Sequence, residues 1–168
     1  MVRKKAYENY PFGIFCTSTV FSLLIYFIGA FIFYHISVLI FILYILYCVW
    51  IEFRLLKKSC VHCYYYGKNC GVGRGKLCAL FFKKGDPKKF IKTDITWKDL
   101  LPDLLVAFLP ILFGIFYLIG NFSLIILLLI IALFLLSSLG NAMIRGHLLC
   151  PYCKQKQIGC PAEKLFNK

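Results

Sequence analysis

Four long stretches of this chain carry no lysine or arginine, and that leaves few folds open to it. They run from about Phe12 to Tyr34, Ile36 to Phe53, Leu100 to Gly120 and Phe122 to Asn141. A helix needs about 20 consecutive apolar residues to cross the hydrocarbon core of a bilayer. The acidic residues associated with these stretches, Glu52, Asp99 and Asp103, fall at their ends. Core helices of soluble proteins rarely run so long without charge. Mean hydropathy is +0.78 and 61% of residues are apolar or aromatic, gathered in blocks rather than in a dispersed helical stripe. Arg3, Lys4 and Lys5 ahead of the first stretch resemble the start of a secretory signal. The stretch is longer than the roughly 7–15 residues of a signal core, and no small-residue cleavage site follows. The sequence therefore predicts an all-α integral membrane protein with four transmembrane helices, the first one retained.

Placement of charge predicts orientation. Of the 20 Lys and Arg, three precede the first helix, twelve lie between Arg54 and Lys98, and five lie between Arg145 and Lys168. The connections near His35 and near Gly120-Asn121 hold none. All the cations thus fall on one side, which the positive-inside rule assigns to the cytoplasm, with both termini there and two tight turns outside. The formal net charge of +13 also suits phosphate binding. In segments flanking membrane helices, orientation and attraction to anionic headgroups explain the charge first, and nucleic acid is not an expected partner.

Orientation governs how the cysteines are read. Cys60, Cys63, Cys70, Cys78, Cys150, Cys153 and Cys160 lie in the basic segments, while Cys16 and Cys48 sit within apolar helices as small apolar residues. Cytoplasmic thiols stay reduced, so clustering points to metal or redox chemistry, although hyperthermophiles do keep intracellular disulfides. Cys60, Cys63 and Cys70 have the spacing C-x2-C-x6-C, and Cys150, Cys153 and Cys160 repeat it 90 residues later. Each set follows a pair of predicted spanning helices. The chain therefore reads as two parallel helical-hairpin repeats, 1–90 and 91–168, each followed by a cysteine-rich knuckle. A two-fold axis along the membrane normal would bring the knuckles together, with ligands in one shared site or in two adjacent ones.

Two thiolates in C-x2-C can grip one metal ion, with further ligands completing a tetrahedron. In the first copy Cys78 is available as a fourth ligand to Cys60, Cys63 and Cys70. In the second, His147 precedes Cys150 and joins Cys150, Cys153 and Cys160. Zinc is the expected occupant, and an iron–sulfur cluster is the alternative. The tetrapeptide Cys150-Pro151-Tyr152-Cys153 is similar to the active-site tetrapeptide of glutaredoxins. That family carries it in a soluble α/β domain, which this chain lacks, so no activity follows from the likeness. His62 is expected at the surface.

Gly71 to Lys76 imitates a phosphate loop and fails as one. Cys70 stands where the first glycine belongs, and Leu77 where the magnesium-binding Ser or Thr belongs. The glycines are expected instead to turn the backbone around a metal and to aim N–H groups at sulfur. Residues Leu77 to Lys84 suggest a short interfacial helix, with aromatics in the headgroup region and Lys83 and Lys84 on anionic lipid. Thr96 to Asp99 looks like a capping box opening the third spanning helix. Pro110 is expected to kink that helix, for packing or to open a cavity. Asp99 and Asp103, one turn apart, are read as serving the helix dipole rather than a cation.

Three functions follow as expectations. The first is a structural or interaction module with cytoplasmic zinc sites, presenting a basic surface to lipid or to a cytoplasmic protein. The second is an iron–sulfur protein passing electrons between a soluble carrier and a membrane acceptor. The third is a protein that handles soft metal ions.

Overall fold

The computed structural model describes residues 5–92 and 96–161. Arg3, Lys4, Lys164 and Lys168, counted above among the basic flanks, lie outside them. The described residues are helical, with no strand and one isolated bridge, Tyr7 to Cys153. Helix α1 covers Phe12–Ile36 and α2 Val38–Lys58. The short helices α3, Gly75–Phe81, and α4, Pro87–Lys92, follow. Then come α5, Trp97–Gly120, and α6, Leu124–Leu135. Four helical runs, Phe12–Ile36, Val38–His62, Trp97–Gly120 and Leu124–Tyr152, are long and apolar enough to cross a membrane. The expected four-helix, all-α class is what the chain adopts.

The breaks have local causes. Ser37 alone separates α1 from α2. Asn121 to Ser123 separate α5 from α6, and Ser123 enters the helix with extended backbone. Helix α5 starts at Trp97, directly after Thr96, with Asp99 in its first turn. The fourth run extends well past the expected Asn141. It widens into π-helical turns at Leu136–Gly140 and Ile144–Leu149, then tightens into a 3₁₀ turn at Cys150–Tyr152. Gly140, in the first π segment, lies against the Phe21 ring, where a Cβ would come within 2.9 Å of Phe21 Cε2 and nearer still to Cζ.

The chain forms two compact units, and each draws on both halves of the sequence. One holds residues 21–52 and 98–142, and the other holds 1–20, 53–97 and 143–168. In the first unit Ile32, Ile126, Ile130 and Leu133 form a buried core. Gly114 permits close approach there, since a Cβ on it would stand 2.8 Å from Ile130 Cδ1.

Proline at position 110 deprives Val106 O of the amide that would normally bond it four residues on. Tyr44 supplies the replacement, its hydroxyl donating to Val106 O at 2.9 Å. Gly29 makes room for that ring, since a Cβ there would lie 2.9 Å from Tyr44 Cζ and 3.1 Å from Pro110 Cγ. Of the two roles expected for Pro110, packing is the one seen. Tyr47 donates likewise to Pro102 O at 2.7 Å, and Tyr26 to Glu52 Oε1 at 2.5 Å. Inside a bilayer such bonds matter because water is absent to satisfy a stranded carbonyl.

Candidate metal centre

All seven cysteines of the basic segments belong to the second compact unit. The two C-x2-C segments adopt the same local structure. Cys60–His62 forms a 3₁₀ turn closed by Cys63 N–H donating to Cys60 O at 3.2 Å. Cys150–Tyr152 forms another, closed by Cys153 N–H to Cys150 O at 3.4 Å. In both, the second cysteine leaves the turn with extended backbone.

Backbone amides then point at sulfur. Cys63 accepts from the Tyr65 amide, and Cys153 from those of Gln155 and Lys156. Cys70 accepts from Val72, at 3.4 Å, and from Gly73 and Arg74. Left-handed Gly73, φ 84°, bends the chain back so that its amide also reaches Cys70 O at 3.0 Å. That conformation favours glycine because no Cβ meets the carbonyl. The glycine run thus wraps the Cys70 thiol in N–H donors, which favour sulfur in its anionic form.

The two cysteine segments clasp one another. Tyr64 N–H donates to Gln155 Oε1 at 2.8 Å, and Lys154 N–H to the Tyr65 hydroxyl at 2.9 Å. A strap from the N-terminal segment joins both. Tyr7 N–H donates to Tyr152 O and Tyr10 N–H to Asn69 O, each at 3.0 Å. The Tyr65 hydroxyl donates to Tyr7 O at 2.7 Å, and that of Tyr10 to Leu149 O at 2.7 Å. Glu8 caps the strap from outside, accepting from the Tyr64 hydroxyl and from Lys154. Tyr10, Tyr65 and Leu149 form a small buried core, with Cys63, Cys70 and Cys153 packed on it. Gly71 fits closely against it. A Cβ there would lie 2.7 Å from Leu149 Cδ2 and 3.0 Å from the Tyr10 ring, while Gly71 O accepts from the buried Ser18 hydroxyl.

Thiols from the two knuckles lie within electrostatic reach of each other. Cys63 feels Cys70, Cys153 and Cys160, and Cys153 feels Cys160. Burial, reinforced by these neighbours, pushes Cys63 up to about 12. Cys70 and Cys153 are raised by burial, against their amide donors. Among the described residues no three His, Cys, Asp or Glu side chains are already gathered as a metal-holding group. The sulfurs share a neighbourhood rather than a closed coordination shell.

The remaining expected ligands are less central. Cys78 is fully buried on α3, its thiol 3.7 Å from Leu56 O, and burial alone raises it. Within reach of Cys60, it stands apart from the second knuckle's thiols in every contact described. His147 is exposed within the second π-helical segment, and Cys150 is exposed. His62 bonds Asp86 O through Nδ1 at 3.1 Å and is half-buried. The strap residues Tyr7 and Tyr10, together with Gln155, were not foreseen. Their signal is faint: a Tyr pair before the first helix and an amide two residues after a cysteine.

These features define a membrane protein with four helices long and apolar enough to span a bilayer and a compact unit rich in cysteine and basic residues. No protein-family model, no curated protein and no solved structure matches the chain.

Proposed function

We propose that the basic head lies on the cytoplasmic side and holds a metal ion through thiolates drawn from both knuckles, with zinc as the occupant. The observation that carries this reading is the clasp itself. Two segments of identical cysteine spacing, 90 residues apart in sequence, are locked by direct hydrogen bonds with Cys63, Cys70 and Cys153 on one small core. The donor set suits the ion. Cys63, Cys70, Cys153 and Cys160 supply four soft ligands, the number a tetrahedral structural zinc takes. Thiols that disfavour one another's ionisation are the groups a divalent cation stabilises as anions. Rotation about a single side-chain torsion moves each sulfur, so closure around an ion asks little of the backbone. The metal would cross-link the two halves of the head, and the protein would act as a structural or interaction module.

An iron–sulfur cluster is the second reading, favoured by the N–H donors on three of the sulfurs, which are among the groups that set a cluster's potential. In that case the head would exchange electrons between a soluble carrier and an acceptor in the membrane. Metal analysis with visible absorption, on full-length protein purified without oxygen, separates the readings. One colourless zinc per chain supports the shared zinc site. Iron with sulfide and a broad visible band supports the cluster. Protein that takes up neither metal with its thiols reduced refutes both.

A further inference from the structure

Helix α3 presents a face that no described residue covers. Its inner side is tied down. Gly75 and Cys78 are buried, Cys78 approaches Leu56 O, and the Tyr66 hydroxyl donates to Phe82 O at 2.7 Å just past the helix end. Gly75 meets the preceding loop so closely that a Cβ would fall 2.5 Å from Lys68 O and nearer still to Tyr65 O. The helix cannot roll to bury its other side. On that side Leu77, Leu80 and Phe81 are 40%, 80% and 58% exposed, and Phe81 stacks edge-on against the exposed Phe53 ring with centroids 5.5 Å apart. Exposed lysines flank this apolar face: Lys76 within the helix, Lys83 and Lys84 directly after it, and Lys57 and Lys58 at the end of α2. From Phe53 to Gly85 the chain holds eight Lys and Arg and no acidic residue, Glu52 and Asp86 bracketing the run.

An acidic protein surface would match the lysines alone, and an apolar protein groove would match the leucines alone. A bilayer surface offers both, in the right order of depth: acyl boundary for Leu77, Leu80 and Phe81, phosphate layer for the cations. Lysine stems extend along apolar surface while their ammonium groups reach the headgroups. We infer that α3 is an interfacial anchor, seated in the headgroup layer of an anionic leaflet with its Leu77–Leu80–Phe81 face toward the acyl chains. The seat holds the first knuckle at the membrane surface whether or not the knuckles carry metal.

The test uses full-length protein in which Trp50→Phe and Trp97→Phe remove the native tryptophans and Leu80→Trp places a single reporter on the face. It is reconstituted into phosphatidylcholine vesicles with or without phosphatidylglycerol, their acyl chains brominated close to the headgroup. The expected result is blue-shifted emission, strongly quenched by brominated lipid when phosphatidylglycerol is present. Most of that quenching is lost in its absence, or when Lys76, Lys83 and Lys84 are changed to Gln. Emission quenched by aqueous iodide and untouched by brominated lipid in either vesicle overturns the inference. So does blue-shifted emission without lipid quenching, the sign of a protein partner. Equal quenching in both vesicles overturns the anionic requirement. Phe81→Trp in the same background repeats the measurement should Leu80→Trp fail to fold.

Discussion

Changing Tyr44 to Phe removes one oxygen atom, and its consequence should depend on a proline three helices further along the chain. Proline at 110 has no N–H to give Val106 O, and the Tyr44 hydroxyl takes that place at 2.9 Å. A buried carbonyl left without a donor costs about 1–3 kcal/mol. Side-chain hydrogen bonds measured within membranes average about 0.6 and reach about 1.7 kcal/mol, because the alternative state also finds partners. Val106 is 4% exposed and a residue beside Pro110 has few substitutes to recruit, so the upper part of that range applies, and Tyr44→Phe should destabilise by about 1–2 kcal/mol. Pro110→Ala returns an amide to the helix at the required position. In that background Tyr44→Phe should cost about 0.5 kcal/mol or less, leaving a coupling of about 1 kcal/mol between the two sites. Reversible unfolding of the four proteins in mixed detergent micelles measures the cycle. Additive effects would refute the claim that Tyr44 serves the proline. Gly29→Ala provides a further check, because its Cβ would push on the Tyr44 ring. It should destabilise the wild type and add little to Tyr44→Phe.

Gly75→Ala should loosen the first knuckle, since the Cβ meets the backbone oxygens of Tyr65 and Lys68, which cannot swing aside as a side chain would. A loss of about 1–3 kcal/mol is expected, read as faster maleimide labelling of Cys63 and Cys70, whereas Gly13→Ala, with nothing within 4 Å, should leave labelling unchanged. Metal content should fall by more than half on Cys63→Ser or Cys153→Ser and stay within error on Cys150→Ser, because Cys150 is exposed while the other two pack on the shared core. Two ions per chain, with Cys150 needed for one, would refute the shared site. In metal-free protein, burial raises Cys63 from the ordinary value of about 9 to about 12. The unfolded chain releases that proton first, so the stability it contributes is complete below pH 9 and is lost as pH climbs towards 12; ultraviolet thiolate absorbance followed alongside unfolding tests this, and early titration of the folded protein would contradict it. Gln155→Leu leaves the Tyr64 amide without its acceptor and removes the Gly159 O contact, and it should destabilise the head by about 1–2 kcal/mol, read as raised hydrogen exchange at Tyr64.

The spanning helices were legible because hydrocarbon imposes a rule that composition must obey residue by residue, and no partner decides it. The glycine run was legible for a related reason: left-handed backbone and close approach are demands only glycine meets, and Gly73 and Gly75 meet one each. The end of the fourth run was not. Arg145 and His147 look like the start of a loop, yet the helix carries them in widened turns down to Cys150. Spacing offered a fourth ligand beside each cysteine segment, Cys78 and His147, and its repetition allowed one site shared between the segments; which side chains hold the segments together it did not say.

The contacts that clasp the two cysteine segments are what spacing cannot measure, and the strap supplies part of them. Residues 5–11 bond to both segments, which lie 90 residues apart in the sequence, with Tyr7 on the second knuckle and Tyr10 on the first. The strap has no counterpart ahead of the second hairpin at the same offset, where Thr96 and Trp97 open α5 directly. The head is therefore asymmetric although its cysteines repeat. Cys60 is half-buried near Cys70 and Cys78, while Cys150, at the same position of the second spacing, is exposed. Cys63 with Cys70 and Cys153 with Cys160 stand at the second and third positions of the two spacings, one pair from each segment. An ion bound there would tie together the two segments that Tyr64, Tyr65, Lys154 and Gln155 already hold in register. Removing the strap's anchor with Tyr10→Phe should therefore weaken the metal site without touching a ligand. The substitution strands Leu149 O, at 2.7 Å from the lost hydroxyl, and releases the core on which three of the thiols rest.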